Sequence, residues 1–89
     1  MKNSYLEVTY RKGRPLAAYY YLPRQGDDTS ARTERMDGGL LVDFTEDGRP
    51  IGIEMTSPAH VELSQLNLLL ERLGCEPMTR EDLAPLAAA

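Results

Sequence analysis

Asp43, Gly52, Glu54 and His60 are the residues whose types and spacing could do chemistry together. Two carboxylates on one face can bind a divalent cation, or divide acid and base roles in hydrolysis. Glycine opposite Asp43 would leave room for a ligand against the backbone. His60, the single histidine, could serve as a base if a nucleophile or water lay within hydrogen-bond reach. A plainer reading competes with this one. Acids on an exposed strand solubilise it and discourage edge pairing. Their spacing matches no calcium loop, and a lone histidine between strand and helix is usually structural. On that reading the chain has no catalytic residue, no cofactor and no metal, and leans away from the enzymes.

Tyr19 and Tyr21 form a second set, with Arg11 and Arg14 of the first turn beside them in sequence. Tyrosine and arginine together anchor protein interfaces, and tyrosines can also stack bases. Anchoring a protein is the better expectation for an acidic chain. Cys75 reads as a small buried apolar residue. Ser64 lacks the Gly-x-Ser-x-Gly surround of a nucleophile, and the chain holds no phosphate loop or dinucleotide fingerprint.

Two hairpins must position these residues. Leu40–Met55 alternates around Asp47-Gly48, a dipeptide that favours a type I′ turn with positive φ at both central residues. A turn centred there pairs Glu46 with Arg49, Phe44 with Ile51, Val42 with Ile53 and Leu40 with Met55. Every large apolar residue except Leu41 then shares one face, and Asp43, Gly52 and Glu54 share the other. Tyr5–Tyr10 and Pro15–Leu22 make the earlier hairpin, turning at Arg11-Lys12-Gly13-Arg14. Leu16, Ala18, Tyr20 and Leu22 are its core candidates. Ala17, Tyr19 and Tyr21 face outward.

The segment Pro23–Gly39 is polar and turn-rich and reads as a mobile loop, within which Ala31–Met36 could add a short strand. Ser57-Pro58 resembles a cap with proline in the first turn, but the main helix is predicted from Ser64. Leu66, Leu69, Leu70 and Leu73 supply its stripe, and Gly74 stops it. Thr79 caps a second short turn that folds Leu83 and Leu86 back on the core. The expected fold is α+β: an antiparallel sheet of about four strands, spanning 5–55, packed by one C-terminal helix within a helical part at 58–86. The chain of 89 residues reads as a single domain, 1–89, with a loose lead-in at 1–4 and a fraying tail at 87–89.

Charge is unevenly spread. Residues 1–24 hold five basic residues and one acid; residues 25–89 hold five arginines and thirteen acids. The net −4 argues against nucleic acid and against an anionic membrane. One cysteine excludes an internal disulfide and a cysteine-based zinc cluster. No 18-residue apolar run and no apolar leader appear, so a cytoplasmic location is expected.

Tyr10, the Ala17-Ala18-Tyr19 strand with Leu22, and above all Val42-Asp43-Phe44-Thr45-Glu46-Asp47-Gly48-Arg49-Pro50-Ile51-Gly52-Ile53-Glu54 resemble the bacterial domain-of-unknown-function 2283 family. The likeness spans about residues 6–60. It departs at Arg11 and Leu16, near positions where the family carries acids, and at Thr45 in the hairpin. The resemblance implies a small single-domain sheet protein; it carries no activity over to this chain, because none is established for the family, and some members look like partners of small toxin-like neighbours. The small core, the outward tyrosines and the absence of a convergent catalytic set make the leading expectation a non-enzymatic interaction module, a homodimer that uses the open face or an edge of the sheet. Two alternatives are an antitoxin-like regulator binding a small basic protein, and a metal-binding or hydrolytic site at Asp43, Gly52, Glu54 and His60.

Overall fold

The computed structural model describes residues 4–87, so most of the predicted lead-in and the tail lie outside the described residues. Five strands form the sheet: β1 (Tyr5–Arg11), β2 (Arg14–Tyr21), β3 (Arg32–Met36), β4 (Leu40–Phe44) and β5 (Pro50–Met55). All neighbours are antiparallel, in the order β1-β2-β5-β4-β3. β5 is thus the central strand, joining the first hairpin to the later meander. A 3-10 turn at Pro58–His60 leads to α1 (Leu63–Arg72), and α2 (Ala84–Ala87) closes the chain. Among the described residues no helix is long and apolar enough to cross a membrane.

The sheet has five strands where about four were expected. Residues 32–36 of the predicted loop form β3, whose side chains are mostly exposed. An edge strand with charges on both faces has no alternation to betray it.

One sheet face is covered. Leu40, Val42, Phe44, Ile53 and Met55 pack with Leu66, Leu69 and Leu70 of α1, and Ala18 of β2 and Leu22 just beyond it join them. Burying each large side chain contributes about 1.5–3 kcal/mol before chain entropy is opposed to it. Met78 and Leu86 complete the cluster. Met78 is held there by Asn67 of α1, whose amide Nδ2 donates to Met78 O at 2.9 Å while its Oδ1 accepts from Met78 N at 2.8 Å. Leu16 is the exception among the predicted core residues, at 52% exposed. Tyr10 pairs with Pro15 and Thr9 with Ala17, so Leu16 is the extra residue of a bulge and leaves the alternation.

The Leu40–Met55 register stands from Leu40↔Met55 to Asp43↔Gly52 and then shifts, so that Phe44 lies opposite Pro50 rather than Ile51. Nor is the turn type I′. Gly48 N donates to Thr45 O and Thr45 N to Arg49 O, and of the turn's residues only Gly48 has positive φ, at 90°. This is a three-residue loop: a turn of type I geometry followed by a left-handed glycine. Thr45 widens it, because its buried hydroxyl accepts the Arg49 N–H at 3.0 Å and donates to Asp47 Oδ1. Consecutive positive φ values occur instead at Lys12 and Gly13 in the first hairpin, and at Gly38 and Gly39 between β3 and β4.

The main helix also begins differently. Glu62 occupies the N-cap position and no side chain caps it, so Ser64 lies inside the helix and is not its cap. The C-terminus is the predicted one. Gly74, at φ 74°, lets Cys75 N reach Leu70 O and Gly74 N reach Glu71 O, the paired bonds of a Schellman stop. Thr79 and Asp82 cap one another: Asp82 N donates to Thr79 Oγ1 and Thr79 N to Asp82 Oδ2.

Candidate functional site

Strand alternation and register place two rows of side chains across the face opposite α1. Tyr5, Tyr21, Gly52, Asp43 and Thr33 face one another in turn across β1, β2, β5, β4 and β3. One step along, Glu7, Tyr19, Glu54, Leu41 and Arg35 form the second row. Asp43, Gly52 and Glu54 thus share the outer face, as their spacing predicts.

The room expected above Gly52 is filled. The Tyr19 ring crosses diagonally over it, and a Cβ at position 52 would meet Tyr19 Oη at 1.9 Å and Cζ at 2.2 Å. Glycine is required here by close approach of an aromatic ring rather than by a ligand. Tyr19 Oη continues across the central strand and donates to Asp43 Oδ2 at 2.6 Å; Thr33 Oγ1 donates to Asp43 Oδ1. Both Asp43 oxygens therefore serve to tie β2, β4 and β3 together. Partial burial, then the Asp43 hydrogen bond and charge, hold the Tyr19 phenol well above the ordinary tyrosine range.

Tyr19 is one of three packed tyrosines. Tyr5 and Tyr21 stack at 4.4 Å between centroids, and Tyr19 meets Tyr21 edge-on at 4.7 Å. Tyr21 Oη donates to Glu7 Oε1 at 3.2 Å, which raises its pKa as well. The neighbouring cation is Arg24, 5.3 Å from the Tyr21 ring centroid, with Nη2 donating to Ile51 O at 2.7 Å. Arg11 and Arg14 do not join the cluster. They close the turn at the other end of β2, five residues or more from Tyr19, roughly 16 Å away at the rise of an extended strand.

His60 ends the 3-10 turn beyond β5, whereas Glu54 points outward from the sheet. Among the described residues no group of three or more His, Cys, Asp or Glu side chains is placed to hold a metal ion. Burial raises the Cys75 thiol above its ordinary pKa, which suits a packing residue and not a nucleophile.

A further network escaped the sequence reading. Arg49 forks onto Asp28, with Nη1 to Oδ2 at 2.9 Å and Nη2 to Oδ1 at 2.7 Å, and its Nε reaches Asp47 at 3.2 Å. Asp28 Oδ2 also accepts the Gln25 N–H at 2.8 Å. These bonds clip the 23–31 connection to the β4–β5 turn. The hydrogen bond from Arg49 lowers the Asp28 pKa; that from Thr45 lowers Asp47 most, with Arg49 adding to it. Only the separation in sequence hid this pair, since the residue types are those of an ordinary fork.

The outer face is thus a braced aromatic surface: three tyrosines and Arg24 near β1, locked to the sheet through Asp43 and Glu7. No family model, curated protein or solved structure matches the chain.

Proposed function

We propose that the chain is a non-enzymatic interaction module that associates with a second copy of itself. One observation carries this reading. The sheet is covered by α1 on one face only, and the other presents Tyr5, Tyr19 and Tyr21 in fixed orientations beside Arg24. Rigid tyrosines provide contact area at small entropic cost, because their rotamers are already chosen. Of the two carboxylates that would serve catalysis, Asp43 is engaged in bracing by two hydroxyls, and Glu54 stands on the other row of the face, opposite Leu41. A reducing cytoplasm suits the single unbridged cysteine. Sedimentation equilibrium tests the reading. A mass twice the 10.0 kDa of the chain at high micromolar concentration is expected. A monomer throughout that range would refute it.

A further inference from the structure

The two edges of the sheet differ, and the difference points to where the second copy binds. β3 is guarded: Arg32 and Glu34 form an exposed ion pair at 2.8 Å, and the Arg32 guanidinium lies 4.5 Å from the Phe44 ring centroid. Charged side chains of this kind deter strand addition. β1 carries a single charge near its centre, Glu7, and Tyr21 Oη donates to it at 3.2 Å. Its seven residues read Tyr5-Leu6-Glu7-Val8-Thr9-Tyr10-Arg11, rich in β-branched and aromatic types and free of proline.

The direction of its backbone groups follows from one bond. Leu22, the residue that follows β2, donates its N–H to Ile51 O and so turns its backbone toward β5. By alternation Tyr20 and Ala18 do the same, while Tyr21, Tyr19 and Ala17 turn toward β1. Their partners Tyr5, Glu7 and Thr9 are therefore the β1 residues bonded to β2. Leu6, Val8 and Tyr10 direct their N–H and C=O outward. The same residues carry the apolar side chains of the helix side. Leu6 and Val8 remain half-exposed at the rim of the core, and Tyr10 is 48% exposed although its hydroxyl donates to Pro85 O at 3.0 Å. The bulge at Leu16 lies on β2, so β1 itself stays regular.

We infer that two copies join through β1, antiparallel, about a two-fold axis at Val8, making one continuous sheet. This deepens the self-association reading above and rests on it. In that register all seven residues of β1 pair, and Leu6, Val8 and Tyr10 each exchange two ladder bonds with the second copy. On the helix side Val8 meets Val8 and Leu6 meets Tyr10, apolar against apolar. On the outer side Tyr5 meets Arg11 of the second copy, and Glu7 lies diagonal to the same arginine. The neighbouring registers are worse. Shifting the axis to Glu7 sets two carboxylates opposite each other; shifting it to Thr9 shortens the overlap and removes Tyr5 from the pairing. The β1 register thus brings Arg11 to the tyrosine cluster across the seam, which the monomer does not do. An isologous contact of this kind is closed, so it yields a dimer and not a fibre.

Val8→Lys tests the seam, since it places two like charges beside the axis. We expect sedimentation equilibrium to show dimerisation weakened by about tenfold or more, with the circular dichroism of the strands retained. Backbone amide exchange in the unaltered protein supplies the second measurement. Exchange at Leu6, Val8 and Tyr10 slows as concentration rises, and exchange at Glu7 and Thr9, already bonded to β2, does not. A dimer without concentration-dependent protection at Leu6, Val8 and Tyr10 overturns the β1 seam and leaves self-association standing. A protein that never dimerises overturns both.

Discussion

At the scale of residues, the outer face is governed by Tyr19 lying over Gly52 and bonding Asp43. Gly52→Ala drives a methyl into the phenol, so Tyr19 must swing away and lose its acceptor. A loss of about 1–3 kcal/mol is expected by urea denaturation. Tyr19→Phe keeps the ring over the glycine and loses only the bond to a carboxylate, for about 1–2 kcal/mol. The phenol also has a pH signature. Its folded pKa lies above the unfolded value near about 10, so its contribution is complete below that pH and is lost as pH rises through the folded pKa. Ultraviolet titration should therefore show Tyr19 and Tyr21 ionising later than free tyrosine, with Gly52→Ala removing part of the delay. The outward placement of Asp43, Gly52 and Glu54 was legible because a period of two leaves no choice of face. That Tyr19 fills the space above Gly52 was not, because it depends on β2 lying beside β5. No turn joins those strands, and local pattern cannot state their register.

At the scale of elements, the helix and turns show which signals carry. The leucine stripe and Gly74 marked α1 and its end, since burial and positive φ admit few substitutes. Ser64 misled because a capping residue type sits one position inside a helix that starts uncapped after Glu62. Asp47-Gly48 misled more subtly. The dipeptide did mark the turn, but the Thr45 hydroxyl and the Arg49 N–H select the three-residue loop. β3 left little trace because an exposed edge strand needs no alternating pattern. Asn67 is the residue that ties α1 to the segment after it. Asn67→Ala should cost about 1–3 kcal/mol, since it leaves the N–H and C=O of the buried Met78 without their partners. Thermal melting with hydrogen exchange at Met78 checks this: stability should fall and the Met78 amide should exchange faster. An unchanged amide would mean that the asparagine does not hold the loop.

For the whole molecule, the charges divide between bracing and solvation. Arg49, with Asp28 and Asp47, fastens a long connection to the central hairpin. Both carboxyls have folded pKa values below their unfolded values near about 3.9. Their contribution is thus complete above about pH 4 and is lost as pH falls through the folded pKa. Wild-type melting temperature should drop in that acid window, and Asp28→Asn should start lower and drop less. A variant as acid-sensitive as the wild type would remove Asp28 from the account. The remaining asymmetry is between a guarded edge at β3 and an open one at β1, on a sheet with one uncovered face. The self-association through β1 that we propose would resolve it by pairing the outward amides of Leu6, Val8 and Tyr10 and seating Arg11 at the tyrosine cluster. Amide exchange at Val8, followed against protein concentration, tests this most directly. We expect protection to rise with the dimer fraction while Thr9 stays constant; exchange at Val8 that is indifferent to concentration in a dimerising sample would contradict it.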